Sequence, residues 1–319
     1  MPSGEDLSIG RLFGVAGKVI VVTGGSKGIG LMIASGFVQN GARVYIFSRK
    51  PAMEAAAALS ARGPGSCVAL QCDVADRAQI DAVAAQVGAA EPGGVHCLVN
   101  NSGATWGEPF DTTPKKSWDK LNAVNVVGLF ETTQAFMPLL ERSIADDGTG
   151  ASARVINIAS IDGMRTPQIE EYAYTATKVG RQAFSGGGAA ARTAAARTRS
   201  ARAPSPPPAP CLLTSLPPLL PSHAAAAKAA VLHLSRNMAG HLSSRRVNVN
   251  CISPGLFPSK MGSQVIDTFG EELISHSIPL GRAGRASDIA SAALFLAGLG
   301  GAYTTGANIV VDGGVLAKL

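Results

Sequence analysis

The stretch KVIVVTGGSKGIGLMIASGFVQNGARVYIFSRK, residues 18–50, decides the fold. Residues 18–22 are a short β-branched run of the kind that parallel sheets bury. Glycines follow at 24, 25, 28 and 30. Residues 31–40 carry apolar side chains at helical spacing, and Gly41 suits a helix stop. Residues 43–47 form a second strand. A strand, a glycine turn, a helix and a strand within about 30 residues is the unit that binds dinucleotides. Glycine lets the backbone turn tightly and approach a pyrophosphate with no Cβ in the way. The free N–H groups at the helix N-terminus then face the anion.

The cradle is therefore expected from Thr23, Gly24, Ser26, Lys27, Gly28, Ile29 and Gly30. The second strand ends in Ser48-Arg49-Lys50, where an NAD enzyme usually places a carboxylate for the ribose hydroxyls. No acid stands there. Arg49 and Lys27 can instead hold a 2′-phosphate by charge-assisted hydrogen bonds, with Ser48 beside them, which favours NADP(H) over NAD.

The same grammar continues outward. Strands are expected at 67–74, 95–103, 153–160, 245–255 and 304–314, with a long amphipathic helix at 117–140. Asp73 can serve as the N-cap of the helix that follows, a role that leaves it free for a second one at a binding site. Residues 256–284 have weak periodicity and helix breakers, which suits a lid over a substrate. The expectation is a single α/β domain over 1–319, a doubly wound parallel Rossmann-type sheet with helices on both faces.

Bulk composition excludes several functions. Apolar residues make up 46% of 319, enough for a large core. Net charge is +6, but residues 179–227 hold five arginines and no acid, and without them it is +1. A nucleic-acid role gains nothing from a nearly neutral remainder. The five cysteines are scattered, with no CxxC pair, so reduced intracellular thiols and no metal site are expected. No apolar run approaches the roughly 20 residues of a membrane span, and the start does not read as a signal peptide, so a cytoplasmic location is expected.

Together these motifs resemble the short-chain dehydrogenase/reductase family. They are Thr23-Gly24-x-x-x-Gly28-x-Gly30, Asn100-Asn101-Ser102-Gly103, Asn125 in N-x-x-G, Ser160-x-x-Gly163, Tyr174-x-x-x-Lys178, Pro254-Gly255 and Val311-Asp312-Gly313-Gly314. The resemblance implies catalysis by Asn125, Ser160, Tyr174 and Lys178. It implies an adenine pocket at Asp73 and Val74, room for the cofactor at Asn101, Ser102 and Gly103, and cofactor contacts from Tyr174, Lys178, Pro254, Gly255 and Ser259. The residues support the chemistry independently. A phenol has a pKa near ~10, too high for acid–base work at neutral pH, and an ammonium four residues on shares its helix face and lowers it. Tyr172 lacks such a partner, since its i+4 residue is Ala176. NNSGATWGEP and PGLFPSKM most resemble the rhamnolipid-biosynthesis 3-oxoacyl-[acyl-carrier-protein] reductases, implying a ketone or 3-oxoacyl thioester substrate. The family also implies a homo-oligomer, dimer or tetramer.

One segment breaks the pattern. Residues 179–227 contain eight of the chain's 19 prolines, runs of alanine and arginine, and no acid. That composition is expected to be disordered or partly polyproline II. The helix that should follow Lys178 reappears as KAAVLHLSRNMAGHL from Lys228. Translated intron sequence fits this better than an extruded loop or a docking tail. Either Lys178 or Lys228 could serve as the cation, and sequence adjacency to Tyr174 favours Lys178.

Overall fold

The computed structural model describes residues 6–106, 110–144, 152–165, 224–259 and 276–317. Seven strands form one sheet: β1 (Val19–Thr23), β2 (Arg43–Ser48), β3 (Ser66–Gln71), β4 (Cys97–Asn100), β5 (Ala153–Ile158), β6 (Val247–Pro254) and β7 (Asn308–Val311). Their order is β3-β2-β1-β4-β5-β6-β7, and every pair is parallel. The order reverses between β1 and β4, where Ile20 lies opposite Cys97. Parallel sheets open a ligand crevice at such a switch point, beyond the carboxyl ends of the strands.

Alternation along the strands builds two cores. Ile20, Val22, Val99 and Ile156 point to one face, where they meet Ile33 and Phe37 of α2 (Gly28–Gln39) and Ile289 and Leu296 of α8 (Ala286–Ala297). Val21, Leu98, Val155 and Val249 point to the other. There they pack on α4 (Arg77–Ala90), α6 (Gly128–Arg142) and α7 (Ala224–Leu242) through Ile80, Phe136, Leu140, Val231 and Met238. Both faces are buried, which is why the strands read as continuous apolar runs rather than alternating ones. The doubly wound sheet expected from the sequence is the one observed.

Several local expectations change. The helix at 117–140 is three pieces: α5 (Lys115–Asn122), a single wide turn over Ala123–Val127 with i→i+5 bonding, and α6. Such wide turns occur mainly at functional sites, and this one carries Asn125. Asp73 is not the helix cap. Asp76 takes that role, accepting from the Ala78 and Gln79 amides at 3.0 and 3.3 Å, because the helix begins only at Arg77 and Val74 and Ala75 separate Asp73 from the cap position. The ladders of β4 and β7 are likewise shorter, at both ends, than the runs that suggested them. Residues 179–227 are described only from 224, and most of the expected lid falls outside the described residues. Among the described residues, no helix is long and apolar enough to cross a membrane, and no His, Cys, Asp and Glu cluster could hold a metal.

Polar groups under the crevice lock strand ends to helices. Asn100 Nδ2 donates to Thr133 Oγ1 at 3.0 Å and to Asn157 Oδ1 at 2.9 Å. Asn157 Nδ2 donates to Ser235 Oγ on α7 at 2.8 Å, and Ser235 donates to Val231 O. All four of these side chains are buried. Asn157→Ala removes two of the bonds. The expected cost is about 2 kcal/mol, at ~1 kcal/mol per bond, seen as a lower urea midpoint with an unchanged slope.

Candidate active site

The expected cofactor residues gather at the carboxyl ends of the strands. Gly24 and Gly28 adopt φ of +66° and +56°, which an L side chain rarely tolerates. A Cβ on Gly30 would lie 2.4 Å from Asn101 Nδ2 and from Gly24 O, so no larger residue fits there. Asn101 closes the loop from the neighbouring strand: its Nδ2 donates to Thr23 O at 2.9 Å and Gly24 O at 3.1 Å. The Asn101 and Ser102 amides both donate to Thr23 Oγ1, at 3.0 and 2.9 Å. Lys27 stands at the start of α2 and makes no side-chain cap, leaving the first-turn amides open to an anion. Gly28 approaches Ser259, whose Cβ would lie 3.1 Å from a Cβ on the glycine.

Around this cradle the other candidates take separate places. Ser26 and Ile29 line the loop, half-buried. Ser48 turns its hydroxyl to Lys50 O at 2.7 Å, and Arg49 is exposed beside it. Gln71 Nε2 donates to Arg49 O at 3.1 Å and fixes that turn. Asp73 and buried Val74 follow β3, with Asp73 Oδ1 accepting from the Ala75 amide at 3.1 Å. Pro254 ends β6. Gly255 lies so near Asp312 that a Cβ would sit 2.8 Å from its Cα. Leu256 and Phe257 then lead into a cleft of about 380 Å³ shared with Leu280, Arg282 and Asp312. The loop is open, glycine-lined and rich in amides, with cations and no carboxylate at the end of β2. Those features fit a phosphorylated dinucleotide.

The candidate reacting groups lie across the switch point. Asn125, fully buried in the wide turn, clasps the chain after β4: its Oδ1 accepts from Ala104 N at 2.8 Å and its Nδ2 donates to Ala104 O at 3.0 Å. Ser160 follows β5 and accepts from the Asp162 amide at 3.2 Å. Its hydroxyl donates to Asp162 Oδ2, also at 3.2 Å, and Arg165 pairs with the other oxygen of that carboxylate. Tyr174 and Lys178 lie outside the described residues. An ammonium is nevertheless present. Lys228 Nζ donates to Ile158 O at 2.5 Å, and a Cβ on Gly103 would lie 3.6 Å from it and 3.4 Å from Asn125 Oδ1. Burial pushes this ammonium from its ordinary range down to about 8.

A family model described as short chain dehydrogenase matches residues 18–195, more than half of the chain. The chain belongs to the short-chain dehydrogenase/reductase family. A second model, enoyl-(acyl carrier protein) reductase, matches residues 220–316 of this family member. The chain is 35% identical, over 95% of its length and 97% of the relative's, to the rhamnolipids biosynthesis 3-oxoacyl-[acyl-carrier-protein] reductase of Pseudomonas aeruginosa. It is 29% identical over the whole of both chains to D-threitol dehydrogenase of Mycolicibacterium smegmatis. Among solved structures, the NADP active-site complex of RhlG from Pseudomonas aeruginosa superposes with a TM-score of 0.73. That match is 33% identical and covers 96% of this chain and 98% of the other.

Sequence reasoning singled out the glycine loop, Asn125 and Ser160, each carried by a short local motif, and the structure brings all three to the carboxyl ends of the strands. It expected the asparagines at the end of β4 to tie strand ends together, but did not name Asn157 and Ser235, the partners of Asn100 and Asn157 at 57 and 78 residues' separation. It also missed Asp162 as the partner of the Ser160 hydroxyl. The two-residue spacing to an acid was visible, but nothing local said where the carboxylate would turn.

Proposed function

We propose that this enzyme reduces a 3-oxoacyl thioester to the 3-hydroxyacyl thioester. It is an NADP-dependent oxidoreductase acting on the CH–OH/C=O couple. NADPH, bound on the glycine loop, supplies the hydride. Ser160 hydrogen-bonds the carbonyl oxygen and stabilises the charge that develops there. Tyr174 delivers the proton to that oxygen, and a lysine ammonium keeps the phenol acidic enough to do so. Asn125 holds the Ala104 backbone against the site, so the floor beneath the substrate does not shift. Family membership also favours a cytoplasmic homo-oligomer.

The thioester reading is carried by the 35% identity, over nearly the full length, to a 3-oxoacyl-[acyl-carrier-protein] reductase. The full-length match to a polyol dehydrogenase keeps one second reading, oxidation of a small sugar alcohol. Initial rates with an acetoacetyl thioester plus NADPH, and with threitol plus NADP, separate them. The thioester is expected to win in kcat/KM by about tenfold or more, a modest margin for pocket discrimination. A threitol preference sinks the proposal. NADPH binding without oxidation across the panel would instead mark a binding protein.

Arg49 provides the cofactor test. It is exposed at the end of β2 with no acid beside it in sequence, free to meet a 2′-phosphate. Arg49→Glu is expected to raise the KM for NADPH about 10- to 100-fold, from the ~1.5–3 kcal/mol of a hydrogen bond to a charged group. The KM for NADH should change little or fall. Equal effects on both cofactors would place Arg49 outside the phosphate site.

A further inference from the structure

Lys228 is the fifth residue of α7, and its ammonium already sits against the crevice. It bonds Ile158 O, the last carbonyl of β5 and two residues before Ser160. Gly103 faces it across the crevice, with a Cβ there 3.6 Å from the ammonium and 3.4 Å from Asn125 Oδ1. The seat of this helix turn is specific. A Cβ on Gly163 would lie 3.1 Å from Ala229 N and Lys228 C, so the Ser160–Gly163 turn packs directly on the Lys228 backbone. Val231, Ser235 and Met238, at helical spacing from Lys228, are buried on the same face, and Ser235 is bonded to Asn157. These anchors fix the rotation of α7 about its axis, and with it the direction of Lys228.

We propose that Lys228, rather than Lys178, is the ammonium of the active site, and that the interruption is the fifty residues 178–227. This deepens the reductase reading and rests on it. The residue one turn before Lys228 on α7 is Ala224, so this helix brings no phenol of its own. Joining Thr177 to Lys228 recreates Tyr174-Thr-Ala-Thr-Lys228 in one helix. Joining Lys178 to Lys228, by omitting 179–227, leaves two adjacent lysines and an extra residue in the helix. One residue rotates everything after it by about 100°, and the buried face of α7 would then no longer match the position of the phenol.

Acylation of the full chain with acetic anhydride, followed for each lysine by mass spectrometry, decides the assignment without turnover. Saturating NADP is expected to slow Lys228 labelling about tenfold or more, by mass action on an occluded site, and Lys178 labelling by less than about twofold. Equal labelling of Lys228 with and without NADP, or stronger protection of Lys178, overturns the proposal. Kinetics give a second reading. Lys228→Met is expected to lose about 10²- to 10³-fold in kcat/KM, in the range of a disabled acid–base group, and at least about tenfold more than Lys178→Met. The opposite order overturns the assignment. Lys228→Met should melt no lower than the parent, because it buries an apolar chain where an ammonium stood. Protection of Lys228 without reduction of any 3-oxoacyl thioester would sink the substrate reading alone.

Discussion

Ser160→Ala is expected to lower kcat by about 10²- to 10³-fold, the range for removing one donor to a developing oxyanion, while leaving the NADPH dissociation constant within about twofold. The geometry says why the loss belongs to the chemical step. Both contacts of the Ser160 hydroxyl, to the Asp162 amide and the Asp162 carboxylate, are 3.2 Å long. Bonds of that length are weak and easily exchanged for a better acceptor. A carbonyl oxygen gaining negative charge is such an acceptor, and it is present only along the reaction. On the proposed mechanism, the resting hydroxyl is held ready by Asp162 and released to the substrate. Alanine also removes a small cap of the Ile161–Gly163 turn, a loss of about 0.5–1 kcal/mol in stability. That loss is too small to explain a thousandfold fall in rate. Stopped-flow single turnover, paired with fluorescence titration of NADPH, reads the two effects separately. A variant with full kcat and weakened NADPH binding would move Ser160 from chemistry to cofactor support.

What was legible in the chain follows the range of the forces involved. The glycine loop could be read because backbone conformation is local: Gly24 and Gly28 need positive φ whatever surrounds them. The sheet could be read because burial on both faces marks every strand the same way. The wide turn at Asn125 could not be read from periodicity; only the family resemblance implied a kink there. It inserts one residue into the helical repeat, and the flanking pattern over 117–140 stays amphipathic on either side of it. That Asp76 rather than Asp73 caps α4 could not be read, because nothing local marks how many loop residues separate β3 from the helix. The cation was the hardest case. Adjacency in sequence favours Lys178, whereas the ammonium at Ile158 O is set by the packing of α7 on residues 157 and 163, contacts made 65 residues or more from Lys228 in the chain.

That difference has a mechanical consequence which two deletions expose. The chain lacking 178–227 is expected to exceed the chain lacking 179–227 in kcat/KM by about 10²-fold, and to match or exceed the full chain. In the first, Tyr174 precedes Lys228 by one turn, and Val231, Ser235 and Met238 keep their register with both. The phenol, the ammonium and the buried face then agree. In the second, the single added residue turns the phenol by about 100° and shifts it ~1.5 Å along the axis relative to that face. Either α7 keeps its seat on Asn157 and Gly163 and Tyr174 points away, or Tyr174 stays and the buried residues turn out of the core. The first outcome costs rate, since a displacement of about 1 Å in a reacting group can cost 10²-fold. The second costs stability, since exposing a Val or Met side chain forfeits about 1.5–3 kcal/mol each. Thermal melts beside initial rates tell which occurs. If the two deletions prove equally active and equally stable, the helix is indifferent to its register and Lys228 loses its special position.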